Sequence, residues 1–138
     1  MTKLLLQCDG GSRGNPGPAA YGFVVYDITS GAAIVLEKCG NYLGITTNNQ
    51  AEYEGLLAGL TWIIQNHPNA EVLIKMDSLL IVNQIKGLYK VKSPELLLKY
   101  QAVKAIISKL PSVTISHTYR KGNSLADSLV NQALDSRR

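Results

Sequence analysis

Two aspartates directly follow apolar, strand-like segments of the sequence. Asp9 follows the run LLLQC, and Asp77 follows the run VLIKM. In an open α/β sheet, ligands usually bind at the carboxyl ends of the strands, so both side chains are expected at the same edge. An aspartate that merely starts a turn explains either residue taken alone. The two placements together indicate one site.

Helical periodicity selects two further carboxylates. At about 100° per residue, Glu52 shares a stripe with Leu56 and Ile63 and is therefore predicted to face the sheet. Glu54 points away from that stripe, toward solvent. Asp127 flanks the apolar stripe of the last predicted helix. The favourable interaction of an acid with a helix N-terminus is an equally good explanation for Glu52 and Asp127.

Carboxylates that converge in a poorly solvated site repel one another unless cations neutralise them. The expected ion is hard and oxygen-binding, Mg²⁺ or alternatively Mn²⁺, because the sequence has no cluster of Cys or His to select zinc. Two such ions can activate a water and stabilise the leaving oxygen of a phosphoryl displacement. The residues predicted to be both metal-binding and catalytic are Asp9, Glu52, Asp77 and Asp127.

The charge distribution favours a polyanionic partner. The chain carries a formal net charge of +4, and residues 86–109 hold six lysines, among them Lys90 and Lys92, against one glutamate. A solvated helix face explains these lysines equally well. The segment DGGSRGNPGP matches neither a P-loop nor G-x-G-x-x-G. Its glycines, Gly10 among them, suit a bend that brings the backbone close to a ligand beside Asp9.

The predicted elements that position these residues run in the order strand, strand, strand, helix, strand, helix, helix, strand, helix. The first helix starts at Thr47 and stops before Pro68, the third is capped by Ser93, and the last by Asn123. This order predicts a single α/β domain over residues 1–138, with a mixed sheet and helices on its faces. No apolar run has the length of a secretion signal or a membrane span, so a cytoplasmic protein without membrane contact is expected.

Four segments in this order, CDGGSRGNPGPAAYG, TTNNQAEYEGLLAGL, IKMDS and NSLADSLVNQAL, resemble the type 1 ribonucleases H over essentially the whole chain. The resemblance implies a ribonuclease H-like fold, a five-stranded mixed sheet with its second strand antiparallel, flanked by helices. It also implies an endoribonuclease that hydrolyses the RNA strand of RNA/DNA hybrids by two-metal-ion catalysis, leaving 5′-phosphate and 3′-hydroxyl ends. The family's four metal-binding carboxylates fall on the four acids selected above.

The same resemblance assigns roles in substrate binding. It places Asn15, Asn48 and Asn49 at the hybrid's minor groove and Thr47 in a pocket for a DNA phosphate. Asn123 matches a substrate-binding asparagine of the family and is also expected to cap the last helix. Arg120 and Lys121 are placed to reach phosphate. Turns and caps favour asparagine in any case, so a purely structural role stays open for each asparagine.

Three features depart from many members of the family. The segment IKGLYKVKSPE is too short for the basic protrusion that grips DNA, so the chain resembles the compact, archaeal-like form. His117 is predicted to be packed at the end of a strand rather than to replace the mobile histidine thought to assist product release. Leu79 stands where a substrate-contacting glutamine is common.

Two other functions stay open on the sequence: a non-catalytic hybrid-binding module of the same fold, and a metal nuclease such as a resolvase or integrase core. The first would lose at least one of the four carboxylates, and the second would not be expected to keep the N-P-G loop and the T-N-N segment. A monomer is expected, with double-stranded RNA as a second candidate substrate.

Overall fold

A five-stranded sheet flanked by helices forms the protein in the computed structural model, which describes residues 1–137. The order of elements confirms the order predicted from the sequence. The elements are β1 (Lys3–Ser12), β2 (Gly17–Asp27), β3 (Ile34–Thr46), α1 (Asn48–Asn66), β4 (Glu71–Met76), α2 (Leu79–Ile85), α3 (Pro94–Lys109), β5 (Ser112–His117), a 3₁₀ turn (Arg120–Asn123) and α4 (Ser124–Asp135).

The sheet is mixed, with the strand order β3-β2-β1-β4-β5. Strand β2 runs antiparallel to β1 and β3, whereas β4 runs parallel to β1 and β5. The predicted fold, with its antiparallel second strand, is therefore confirmed. Strands β1 and β4 occupy the middle of the sheet and end at the same edge.

Local sequence signals set the starts of three helices. The side chains of Thr47, Ser78 and Ser93 each accept a hydrogen bond from a backbone N–H in the first turn of α1, α2 and α3. Helix α1 ends at Asn66, directly before His67 and Pro68. None of the helices within residues 1–137 combines the length and apolar character needed to cross a membrane.

Two hydrophobic clusters hold the helices on the sheet. The larger lies between the sheet and α1, α2 and α3, and its fully buried members include Leu4, Leu6, Leu56, Leu60, Ile74 and Ile81. The smaller joins β2 to α4 through Ala20, Val130 and Leu134. Because alternate strand residues point to opposite faces, the sheet buries residues on both sides. Helix α1 packs on one face and helix α4 on the other.

Gly10 lets α1 lie directly against β1. A Cβ atom at Gly10 would overlap the backbone of Ala51 and Glu52, whereas one at Gly11 would meet only Asn48 Oδ1, at 3.9 Å. Neither glycine has a positive φ. The contact of α1 with β1 therefore depends on the missing side chain at Gly10 and not on backbone freedom.

The single domain over residues 1–138 stays a prediction, and Arg138 lies outside the described residues.

Replacing Gly10 with alanine is expected to lower the free energy of unfolding by about 1–3 kcal/mol, because the added methyl group pushes two packed elements apart. Gly11→Ala is the matched control, with an expected change within about 0.5 kcal/mol. Urea denaturation of both variants measures the difference. Equal stability of the two variants would contradict the tight contact between β1 and α1.

Candidate active site

Strand register places Asp9 beside Asp77. Strand β1 does not end at Asp9, as the sequence suggested, but continues to Ser12, so the bend is confined to residues 13–16. The parallel pairing of β1 with β4 aligns Gln7 with Lys75. Asp9 lies two residues further along β1, and Asp77 lies two residues after Lys75, directly beyond the end of β4. Continuing the alternation of the strands places both side chains on the same side of the sheet, and their carboxylate oxygens meet in one cluster.

Glu52 joins the two aspartates from helix α1. The backbone N–H of Gly10 donates to Glu52 Oε1 at 3.1 Å, which holds the carboxylate over the end of β1. Asp9, Glu52 and Asp77 each offer one oxygen such that the three atoms lie within 4.8 Å of one another. Asp9 and Glu52 are buried and Asp77 is partly buried. The structure thus brings together three of the four predicted carboxylates.

The fourth carboxylate, Asp127, lies outside this triad but lines the same open cavity of about 560 Å³. It sits in the first turn of α4, where its Oδ2 accepts a long hydrogen bond from Asn131 Nδ2 at 3.5 Å. Its negative charge raises the pKa values of both Asp9 and Asp77. The charge of Asp127 therefore contributes to the electrostatics of the triad.

Burial and mutual repulsion raise the pKa values of the triad. Burial raises the pKa of Asp9 to about 6, the charge of Asp77 contributes, and a hydrogen bond with Glu52 opposes the shift. Burial raises the pKa of Glu52 well above its usual range, and the neighbouring Asp9 raises it further. For Asp77, burial also raises the pKa, while Arg120 opposes this shift. The ionised cluster is consequently high in energy without a cation.

The donor set fits hard divalent cations. Glu52 Oε2 is buried without a hydrogen-bond partner among residues 1–137, so one carboxylate oxygen of the cluster is available as a ligand. Carboxylate oxygens are preferred ligands of Mg²⁺ and Mn²⁺. The buried thiol of Cys8 lies near the cluster, but burial raises its pKa well above the usual range, so it stays protonated and does not compete as a thiolate ligand.

Asparagines connect the β1–β2 turn to the start of α1. Asn15 Oδ1 accepts from the Asn48 backbone N–H at 3.0 Å, and Asn48 Oδ1 accepts from the Ser12 backbone N–H at 2.8 Å. Asn49 lines the cavity, and Thr47 caps the helix by accepting from Gln50 N. Asn48 lines the cavity with Asn49, and these contacts hold Asn15 and Thr47 next to them, while the roles of these four residues toward substrate stay predictions.

Asn123 stands at the N-cap position of α4, but the predicted cap by its side chain is wrong. Its side chain is fully buried and makes no cap hydrogen bond to α4. Its Nδ2 instead donates to the backbone oxygen of Cys8 at 2.9 Å, across 115 positions of sequence. This bond ties the start of α4 to β1 next to Asp9. This bond gives Asn123 a structural role between Asp9 and Asp127, and no atom of the residue is exposed to the cavity. Its predicted contact with substrate stays a prediction.

The prediction that His117 is packed is also wrong. His117 is exposed, lines the cavity and meets the ring of Tyr119 edge-on, with ring centroids 5.5 Å apart. Strand β5 is the outer strand of the sheet on this side, and His117 is its last residue. Glu54 faces away from the cluster as expected, yet it is not simply solvated, because it forms an ion pair with Lys99 on α3.

The four basic residues predicted to bind phosphate or DNA are all exposed, but only one of them lines the cavity. Arg120 lines it, whereas Lys121 is not among the lining residues. Lys90 and Lys92 lie in the connection between α2 and α3, away from the lining of the cavity. Arg13, which the sequence analysis did not single out, lines the cavity from the β1–β2 turn. Only its position in the glycine-rich segment beside Asp9 could have drawn attention to it.

This sheet order, with a carboxylate cluster at the edge of the central strands, defines the class of ribonuclease H-like domains. A family model described as "Reverse transcriptase-like" matches residues 7–133 of the chain. The match begins within β1, ends within α4 and includes all four carboxylates.

Similar proteins of known sequence include one from a bacterium and one from an archaeon. The bifunctional protein Rv2228c of Mycobacterium tuberculosis is 42% identical over 133 residues, which make up 96% of this chain and 36% of that protein. Ribonuclease HI of Halobacterium salinarum is 36% identical over 127 residues, 92% of this chain and 62% of that protein. The chain thus spans about a third of the first relative and less than two thirds of the second.

Solved structures agree with these relatives. The N-terminal RNase H domain of Rv2228c has a TM-score of 0.92 at 40% identity, covering 99% of this chain and 96% of that chain. RNase H1 from Halobacterium salinarum gives 0.90 at 34% identity, covering 98% and 99%. LC11-RNase H1 in complex with RNA/DNA hybrid gives 0.88 at 40% identity, covering 96% of each chain. The chain belongs to the type 1 ribonuclease H family, as its motifs predicted, and the predicted enzyme class agrees with these relatives.

The raised pKa of Asp9 predicts an unusual dependence of stability on pH. Because its pKa rises from about 3.9 in the unfolded chain to about 6 in the fold, the folded protein binds more protons between these values. Its stability without divalent ions should therefore fall as the pH rises through this window. Mg²⁺ should restore stability at pH 7 and have little effect at pH 4.

Urea midpoints at pH 4, 5, 6 and 7, in EDTA and in Mg²⁺, measure this effect. The Asp9→Asn variant is the control, and its midpoint should depend less on both pH and Mg²⁺. A Mg²⁺ effect of equal size at pH 4 and pH 7 would contradict the assignment.

Proposed function

We propose that the chain is a metal-dependent endoribonuclease that hydrolyses the RNA strand of RNA/DNA hybrids, leaving 5′-phosphate and 3′-hydroxyl ends. The observation that carries this proposal is the cluster of Asp9, Glu52 and Asp77, three carboxylates within reach of one cation at the floor of an open cavity. The similarity to Ribonuclease HI of Halobacterium salinarum and to LC11-RNase H1, which was solved with an RNA/DNA hybrid, supports the substrate class.

Asp9, Glu52 and Asp77 would hold divalent cations at this floor, with Asp127 as a further ligand on the α4 side. Two Mg²⁺ ions are the proposed cofactors, and Mn²⁺ is expected to substitute for them. When bound, they supply an activated water and neutralise the charge that develops on the leaving oxygen. The buried carboxylates contribute a rigid arrangement of ligands, because α1 and the central strands fix their backbones.

The rim asparagines are suited to reading the minor groove. The oxygens of Asn15 and Asn48 already accept hydrogen bonds from the protein, so their NH₂ groups are the donors left for substrate. Acceptors in the minor groove differ little between base pairs, while 2′-hydroxyls distinguish RNA from DNA. Asn49 lies beside them in the cavity wall. This arrangement favours recognition of the RNA strand with little dependence on base sequence.

Arg120 contributes positive charge at the rim near Asp77, where it opposes the rise in pKa of that carboxyl. Thr47, at the N-terminus of α1, is proposed to help hold a DNA phosphate, as a helix N-terminus favours anions. Lys121, Lys90 and Lys92 would add sequence-independent attraction outside the cavity.

A panel of labelled duplexes tests the substrate class. An RNA/DNA hybrid, an RNA duplex and a DNA duplex are each incubated with the protein in Mg²⁺, Mn²⁺ or EDTA. The RNA of the hybrid should be cut in either metal ion and not in EDTA. Cleavage of the RNA duplex would add double-stranded RNA to the substrates, and undiminished cleavage in EDTA would exclude metal-dependent catalysis.

The protein is further proposed to act as a monomer and in the cytoplasm.

Asp77→Asn is expected to separate chemistry from binding. The change keeps the size of the side chain and an acceptor oxygen but removes a negative charge from the proposed metal site. The single-turnover cleavage rate should fall by roughly three orders of magnitude, which corresponds to about 4 kcal/mol. Hybrid affinity should hold or rise, because one repulsion against phosphate is lost.

Asp27→Asn is the matched control, since Asp27 pairs with Leu4 at the opposite end of the sheet and its Oδ1 accepts from the Thr29 backbone N–H. Its cleavage rate should stay within about twofold of the parent. An Asp77→Asn protein with parental activity would show that the carboxylates are wrongly assigned.

The lysines of the α2–α3 connection are expected to contribute to binding through charge alone. Replacing Lys90 and Lys92 with alanine should lower the steepness of log affinity against log salt by about one to two, because each neutralised phosphate contributes roughly 0.7–0.9. The control replaces Lys3 and Lys38, which are exposed on β1 and β3. Fluorescence anisotropy at several salt concentrations measures both slopes. Identical slopes for the two double variants would remove this surface from the binding site.

A further inference from the structure

Two arginines flank the carboxylates along the edge of the sheet. Arg13 belongs to the turn between β1 and β2, and Arg120 follows β5. Because the strand order is β2-β1-β4-β5, Asp9 on β1 and Asp77, the residue directly after β4, lie between the two arginines along this edge. Both arginines line the cavity that contains the carboxylates. The cavity therefore has an acidic floor with a guanidinium on each side.

Arg13 is held in place by contacts that leave donors available. Its Nη2 donates to Asp135 Oδ1 at 2.6 Å, at the last residue of α4, and its backbone N–H donates to Pro18 O at 2.8 Å. The Arg13 and Asp135 side chains are 43% and 66% exposed, so solvent weakens their attraction. A guanidinium has five N–H donors, and the pair with Asp135 orients the group while leaving several of them for another oxyanion.

A nucleic acid strand that crosses this cavity needs cations on both sides of the floor. If one phosphate lies at the carboxylates for cleavage, the neighbouring phosphates continue toward β2 on one side and toward β5 on the other. The acidic cluster repels those neighbours wherever metal ions do not neutralise it. Arg120 is in position on the β5 side, and Arg13 is the cavity-lining cation on the β2 side.

We propose that Arg13 binds a backbone phosphate of the RNA strand next to the cleaved linkage, on the β2 side, and that Asp135 orients its guanidinium for this contact. The proposal rests on the proposed function, since it requires that the RNA strand crosses the carboxylates. The contact is independent of base sequence, because phosphate positions a strand without reporting its sequence.

Arg13→Ala should raise KM for hybrid cleavage about five- to tenfold, the loss expected for a charge-assisted hydrogen bond. The value of kcat should stay within about twofold, since the carboxylates are unchanged. The steepness of log affinity against log salt should fall by about 0.7–0.9. Arg13→Lys keeps the charge and should restore the salt slope while recovering only part of KM.

Arg137→Ala is the control for general charge. Arg137 lies two residues beyond α4, donates to Leu134 O at 2.7 Å and is not among the residues that line the cavity. Its replacement should leave KM and the salt slope close to those of the parent. Asp135→Asn should raise KM by about two- to threefold in the parent but have no effect in the Arg13→Ala background, as expected for coupled residues.

Hybrids with a single uncharged methylphosphonate linkage identify the phosphate. The uncharged linkage is moved one position at a time along the RNA strand, and affinity is measured with the Asp77→Asn protein, which is expected to bind without cutting. At one position next to the cleaved linkage, affinity should fall for Asp77→Asn but not for the double variant Asp77→Asn/Arg13→Ala.

Equal losses at every position in the two proteins, or equal effects of Arg13→Ala and Arg137→Ala, would overturn the role of Arg13 while leaving hybrid cleavage intact. A parent protein that neither binds nor cuts the hybrid would instead overturn the proposed function itself, and this role with it.

Discussion

The site depends on one constraint, the repulsion among the three poorly solvated carboxylates of Asp9, Glu52 and Asp77. Asp9 and Asp77 are side by side because the parallel pairing of β1 with β4 brings together the segments that carry them, and Glu52 meets them because α1 packs directly on Gly10. Each of the three pKa values is raised by burial. The packing of the surrounding elements keeps these mutually repelling charges together. Bound cations would neutralise them.

The surrounding elements fix the positions of the carboxylates and of the neighbouring polar residues through specific hydrogen bonds. The hydrogen bond from Asn123 to the Cys8 backbone fixes the start of α4, and with it Asp127, against the central strand. The hydrogen bond from the Asn48 backbone N–H to Asn15 Oδ1 joins the turn of residues 13–16 to the same helix that carries Glu52. The groups proposed to hold the substrate are therefore built on the same backbone segments as the groups proposed to hold the metal, so their relative positions are set by short connections.

Much of the fold and the centre of the site could be predicted from sequence because the signals are local. Strand-like runs located Asp9 and Asp77, and helical periodicity turned Glu52 toward the sheet. The errors concern exposure and distant partners. The bond of Asn123 to Cys8 spans 115 positions, the pair of Arg13 with Asp135 spans 122, and Glu54 meets Lys99 across 45. Such pairings depend on how the helices pack on the sheet, and no local sequence pattern predicts them.

Anomalous diffraction from crystals of the parent protein grown with Mn²⁺ tests most directly whether the carboxylate cluster is a metal centre. We expect an anomalous peak within direct coordination distance of oxygens of Asp9 and Asp77, with Glu52 Oε2 as a further ligand or bonded to a metal-bound water. An empty cluster at saturating Mn²⁺, with Mn²⁺ bound only elsewhere on the protein, would contradict the proposal that these carboxylates are held together to bind metal.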